Sequence, residues 1–236
     1  MITLTQSVAK SQVLLVCSNI CVKNCAISDP LWISRFVRND TGFFRNWAAI
    51  YWAEEGRCVV YITPAPLEEL PAACHDRSNP APIAFKLMRF MYLADYEALV
   101  NRLVELHTFV SLPSVLLIDN FDAYINYKES EVSQDVHFAR TCSLILDTMN
   151  SCARILKTDV YVCAWSFSAM EDICPYTIYF TNIWNVTNEE ESKTILVQKY
   201  TQTVPTEQCP IYRYCKLEDG TRVLKQILYE AAEDQS

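Results

Sequence analysis

The sequence contains very little glycine. Only three glycines occur, Gly42, Gly56 and Gly220, whereas an average usage of about 7% would give roughly sixteen in a chain of this length. A glycine-rich loop that wraps its backbone around phosphate groups is therefore not expected. Long hydrophobic runs are also missing. No apolar run approaches about 18 residues, so we expect no transmembrane helix and no contact with a membrane.

Positive charge is in short supply as well. The chain has 20 basic and 28 acidic residues and a formal net charge of -8. Acidic chains are repelled by phosphate backbones, so strong autonomous binding of DNA or RNA is not expected. No hydrophobic signal peptide precedes the 11 cysteines. We therefore interpret them as reduced thiols in the cytosol or the nucleus.

What the sequence does contain is typical of a globular α/β domain. Hydrophobic residues make up 51% of the chain, and short apolar runs alternate with helical patterns as far as residue 165. We predict strands in Gln12–Cys17, Cys58–Pro66, Phe85–Tyr92, Ser114–Ile118 and Asp159–Trp165, and helices before Gly56, in Asp95–Val110 and in Val132–Leu156. Residues 166–229 are strand-like without long helices, which predicts antiparallel additions to the sheet edge. We predict one domain over residues 1–236, with an acidic, frayed tail at 230–236.

An apolar run that ends in an acid, Asp119, raises the question of a nucleotide site. In P-loop NTPases such an acid helps to hold magnesium, and a Gly-x-x-x-x-Gly-Lys-Ser/Thr loop follows the first strand. In this chain Ser18 and Lys23 occupy the two glycine positions, Asn24 replaces the lysine and Cys25 replaces the hydroxyl. All four chemical positions are lost. Asp119 is thus either a remnant facing an empty pocket or an acid that caps a turn.

These segments resemble a known family. "CVVYITPAPLEELP", "FKLMRFMYLADYEALVNRLVEL", "SVLLIDNFDAYI" and "SLILDTMNSCARILKTDVYVCAW" together look like the recombinase paralogue that accompanies the SWIM-domain zinc protein in the animal Shu complex. "LLVCSNICVKNCAI" aligns with the phosphate-loop strand of that family, without its glycines. The resemblance covers about two-thirds of the chain.

The resemblance implies a fold and a function. The fold is a RecA-like P-loop NTPase core, with a mostly parallel central sheet, antiparallel C-terminal strands and a degenerate phosphate loop. The function is that of a nuclear scaffold, and the lost phosphate-loop positions of this chain indicate that it is non-catalytic and has no cofactor. It would pair with the SWIM-domain zinc protein and assist assembly of recombinase filaments on single-stranded DNA, which it would touch weakly or through the complex. Two alternatives are a divergent but active ATPase and an unrelated α/β interaction module.

Large aromatic residues indicate where a partner could bind, because tryptophan, tyrosine and arginine are enriched at binding hot spots. The candidate interface residues are Phe36, Phe43, Phe44, Trp47, Trp52 and Trp184. The alternative is that each of these side chains fills the core. Cys17, Cys21 and Cys25 are spaced by four, but the first lies in a predicted strand and no histidine pair follows. We therefore expect packing thiols and no metal site.

Overall fold

The computed structural model describes residues 10–18, 43–66, 81–126, 133–167, 174–189, 193–200, 209–218 and 222–229. Nine strands lie in this part of the chain: β1 (Lys10–Ser18), β2 (Val59–Thr63), β3 (Met88–Tyr92), β4 (Val115–Ile118), β5 (Tyr161–Ser166), β6 (Asn182–Glu189), β7 (Thr194–Tyr200), β8 (Ile211–Lys216) and β9 (Arg222–Leu228). They form one sheet in the order β3-β2-β4-β5-β1-β6-β7-β8-β9. With the helices described below, this is an α/β fold.

Four of the nine described strands form a parallel part of the sheet. Strand β2 pairs in parallel with β3 and β4, and β4 pairs in parallel with β5. Every residue of β2, β4 and β5 is buried. This explains why their sequences are continuous apolar runs instead of alternating patterns, since parallel strands are covered on both faces.

Five α-helices accompany the described strands: α1 (Phe43–Glu54), α2 (Pro82–Lys86), α3 (Tyr96–Glu105), α4 (Asp122–Ile125) and α5 (Gln134–Leu156). Short 3-10 turns occur at Leu106–Thr108 and Cys174–Ile178. The side chain of Asp95 caps α3 by accepting a hydrogen bond of 2.8 Å from the Ala98 N–H, as expected of an acid at that position. Lys157 adopts a left-handed φ of 54° and ends α5.

The helices enclose the parallel strands from two sides. On one face, α3, α4 and α5 bury residues such as Leu103, Tyr124 and Met149 against Leu116 and Ile118. On the other face, side chains from α1 and α2, including Ala49 and Ala84, pack with Tyr61, Leu117 and Trp165. Each strand therefore sends alternate residues into two separate apolar clusters.

The rest of the sheet is antiparallel. Strand β1 pairs antiparallel with both β5 and β6, and β6 to β9 continue antiparallel. The predicted antiparallel C-terminal strands are confirmed. Four of the five strands in the predicted core, β2 to β5, are parallel to one another, as expected of a mostly parallel central sheet, but the first strand, β1, runs against its neighbours. A short apolar run such as Gln12–Cys17 has no polarity in its pattern, so the sequence carried no information on its direction.

Two element boundaries also differ from expectation. The predicted strand Phe85–Tyr92 starts only at Met88, because Phe85 and Lys86 belong to α2. Proline at the beginning of that helix, Pro82, is a known start signal. Within the strand-like region 166–229, Cys174–Ile178 forms a 3-10 turn, and β6 starts only at Asn182.

Candidate functional site

The acid that ends β4 lies inside the protein. Asp119 is only 5% exposed, and its Oδ2 accepts a hydrogen bond of 3.3 Å from the hydroxyl of Tyr61. Its own N–H continues the sheet by donating to the Ile62 carbonyl at 2.8 Å. The carboxylate is thus directed toward a buried tyrosine of the neighbouring strand. In this arrangement the Asp119 carboxylate contributes to packing at the carboxyl-terminal ends of the parallel strands. A soluble ligand would have little access to it.

A second acid, Asp122, connects the ends of two neighbouring strands by hydrogen bonds. The carboxylate of Asp122 accepts hydrogen bonds from the Ser166 hydroxyl at 2.8 Å and from the N–H of Phe167. The Ser166 hydroxyl also lies 3.1 Å from the hydroxyl of Tyr176. Sequence reasoning missed Asp122. The available signal was its place in a polar turn directly after a buried strand, where acids bind free N–H groups.

The turn between these two acids is itself fixed. Asn120 adopts a left-handed φ of 46°, a conformation that asparagine tolerates better than most residues. The next residue, Phe121, is fully buried, and its N–H donates to the carbonyl of Trp165 at 2.7 Å. Backbone and side-chain bonds together therefore tie the end of β4 to the end of β5.

Ser18, the first position of the predicted phosphate loop, lies at the opposite end of the strands from Asp119. Ser18, the last residue of β1, pairs with Tyr161, the first residue of β5. Tyr161 is five residue steps from Ser166, which lies at the opposite end of β5, and this is roughly 16 Å at 3.3 Å per residue. The chain thus leaves β1 at the amino edge of the parallel strands, whereas Asp119 lies at their carboxyl edge. Lys23, Asn24 and Cys25 lie outside the described residues.

At the amino-terminal ends of the parallel strands, an arginine side chain packs beside two aromatic rings. The rings of Trp52 and Tyr161 stack with centroids 4.7 Å apart, and the Arg57 guanidinium lies 4.9 Å from the Tyr161 ring centroid. Arg57 also donates a hydrogen bond of 2.8 Å to the Asp159 carbonyl. The Arg57 guanidinium therefore contacts aromatic faces and donates to a backbone carbonyl. These contacts stabilise the end of α1 and the start of β5.

The candidate interface aromatics fall into three groups. Phe36 lies outside the described residues, and Phe43, Phe44 and Trp47 lie in α1, whose backbone alone is described there. Trp52 is partly buried against Tyr161. Trp184 is 3% exposed and its ring packs beside Tyr212 at a centroid distance of 6.4 Å. Trp184 is therefore a core residue, and as placed it offers no surface to a partner.

Six cysteines of the described part are free thiols: Cys58, Cys142, Cys152, Cys163, Cys209 and Cys215. Burial raises the pKa of Cys142 and of Cys152 above the ordinary value, because the charged thiolate is poorly solvated inside the protein. Both lie on the buried side of α5 and behave as small apolar residues. Among the described residues no group of three or more His, Cys, Asp or Glu side chains could hold a metal ion. Cys21 and Cys25 lie outside these residues.

A shallow surface depression follows the exposed side of α5. It is lined by Asp135, Val136, Ala139, Arg140, Ser143, Leu144 and Asp147. All of these residues come from one helix, so the depression is a groove and not a cleft between elements. No described helix is long and apolar enough to cross a membrane.

No family model and no curated protein matches the chain. Its geometry is therefore the main guide to its function. Asp119 and Asp122, at the carboxyl-terminal ends of the parallel strands, make hydrogen bonds within the fold. Strand β1, after which a phosphate loop is predicted, ends at the amino-terminal ends of those strands.

Proposed function

We propose that the protein is a non-catalytic α/β scaffold that acts by binding other proteins. The observation that carries this proposal is the placement of Asp119, whose carboxylate is buried and hydrogen-bonded to Tyr61. Nucleotide hydrolysis requires an accessible acid beside a phosphate-binding loop at the same edge of the sheet. Ser18, after which that loop would follow, lies at the other edge.

The more specific form of the proposal comes from the resemblance of the sequence. In this form the chain is a RecA-like subunit of the nuclear Shu complex, and it pairs with the SWIM-domain zinc protein. The pair assists assembly of recombinase filaments on single-stranded DNA during homologous recombination. Alternating strands and helices followed by antiparallel strands support a RecA-like layout, whereas the antiparallel direction of β1 does not. The scaffold role does not depend on that direction, since a fold can serve partners without catalysis.

Co-expression with the SWIM-domain zinc protein tests the partner. We expect the two chains to co-elute from size-exclusion chromatography in a constant ratio. Co-expression with a SWIM-domain protein from an unrelated complex serves as the control, and that protein should elute separately from this chain. Elution of the zinc protein apart from this chain would overturn the specific proposal.

Addition of ATP and magnesium tests the absence of catalysis. A ligand at about one hundred times its Kd stabilises a protein by about 2.7 kcal/mol, which corresponds to several degrees in Tm. We expect no such rise and no phosphate release. An ATPase activity that is abolished by Asp119→Ala and retained in the surface variant Asp147→Ala would contradict the scaffold proposal.

A further inference from the structure

We draw no further inference here: the strongest candidate, the surface patch beside β3 where the guanidinium groups of Arg89 and Arg102 lie 4.9 Å and 5.9 Å from the ring centroid of Phe109, carries nothing, because Glu105 already forms an ion pair with Arg102 and nothing in the structure shows what covers the patch.

Discussion

Asp122 and Ser166 are joined by a hydrogen bond of 2.8 Å between the carboxylate of the first and the hydroxyl of the second. The bond spans 44 residues of sequence and connects the turn after β4 to the last residue of β5. The same carboxylate accepts a hydrogen bond from the N–H of Phe167. It thus provides acceptors for two donors at the end of β5, the Ser166 hydroxyl and the Phe167 N–H. An acid at the carboxyl edge of a parallel sheet can thus serve architecture instead of catalysis.

Removal of this carboxylate should destabilise the fold. In Asp122→Ala the buried Ser166 hydroxyl and the Phe167 N–H lose their acceptor, and we expect a loss of about 1–3 kcal/mol in the free energy of unfolding. The measurement is a urea titration followed by circular dichroism. Asp147→Ala, which removes an exposed acid from α5, is the control and should change stability by no more than about 0.5 kcal/mol. Equal stability of the two variants would show that the Asp122 bonds contribute nothing.

A double-mutant cycle should detect coupling between Tyr61 and Asp119. Their side chains form a buried hydrogen bond, so the effects of Tyr61→Phe and Asp119→Ala should not add. We expect a coupling energy of about 1 kcal/mol, which is typical of residues in direct contact. Unfolding free energies of the wild type, the single variants and the double variant give this value.

The control for this cycle uses another buried tyrosine. Tyr214 is 2% exposed and lies on β8, five strands away from β4 in the sheet. The effects of Tyr214→Phe and Asp119→Ala should therefore add to within about 0.5 kcal/mol. Additivity in the Tyr61 cycle as well would contradict a structural role for the Asp119 carboxylate.

The sequence predicted some elements well for clear physical reasons. Helix α5 was predicted at Val132–Leu156 and is found at Gln134–Leu156, because a long amphipathic helix repeats its apolar spacing many times. Strands β4 and β5 were located by their continuous apolar runs, which burial on both faces demands. The place of Asp119 after a central strand was likewise predicted from its local pattern.

The sequence does not predict contacts between residues far apart in the chain, and it does not predict the direction of a strand. The partner of Asp119 is Tyr61, 58 residues away, and no local pattern announces such a pair. The run Gln12–Cys17 fits the middle of a sheet in either direction, so its antiparallel placement was unforeseen. By contrast, α2 could have been predicted, since Pro82 is a helix-start signal that the apolar residues after it obscured.

Alkaline pH should destabilise the protein through its buried weak acids. Burial raises the pKa of Cys142 in the folded state, so the folded protein keeps this proton where the unfolded chain releases it. The stabilising effect is complete below the unfolded pKa of about 8.5 and is lost as pH rises above it. Burial, with smaller contributions from Asp95 and Tyr61, also raises the pKa of Tyr124, which adds a similar loss above about pH 10.

The contribution of Cys142 can be separated by substitution. Each such group contributes a slope of about 1.4 kcal/mol per pH unit once the unfolded form titrates. In Cys142→Ala the decline in unfolding free energy between about pH 9 and pH 10 should be shallower by that amount, measured with reductant present. Thr141→Ala on the same helix, also buried but not titratable, should keep the wild-type slope. The same slope in both variants would mean that Cys142 is accessible to solvent.

The direction of β1 decides whether a phosphate-binding geometry exists, and disulfide trapping should reveal it. Ser11 pairs with Thr187 on β6, whereas Asn182 lies at the other end of that strand, roughly 16 Å from Thr187. Directly opposed residues are within the Cα distance that a disulfide spans, and residues that far apart are not. We therefore expect Ser11→Cys to cross-link with Thr187→Cys and not with Asn182→Cys under mild oxidation, with the products mapped by mass spectrometry. The reverse outcome would place the end of β1 beside Asp119 and restore the case for a nucleotide site.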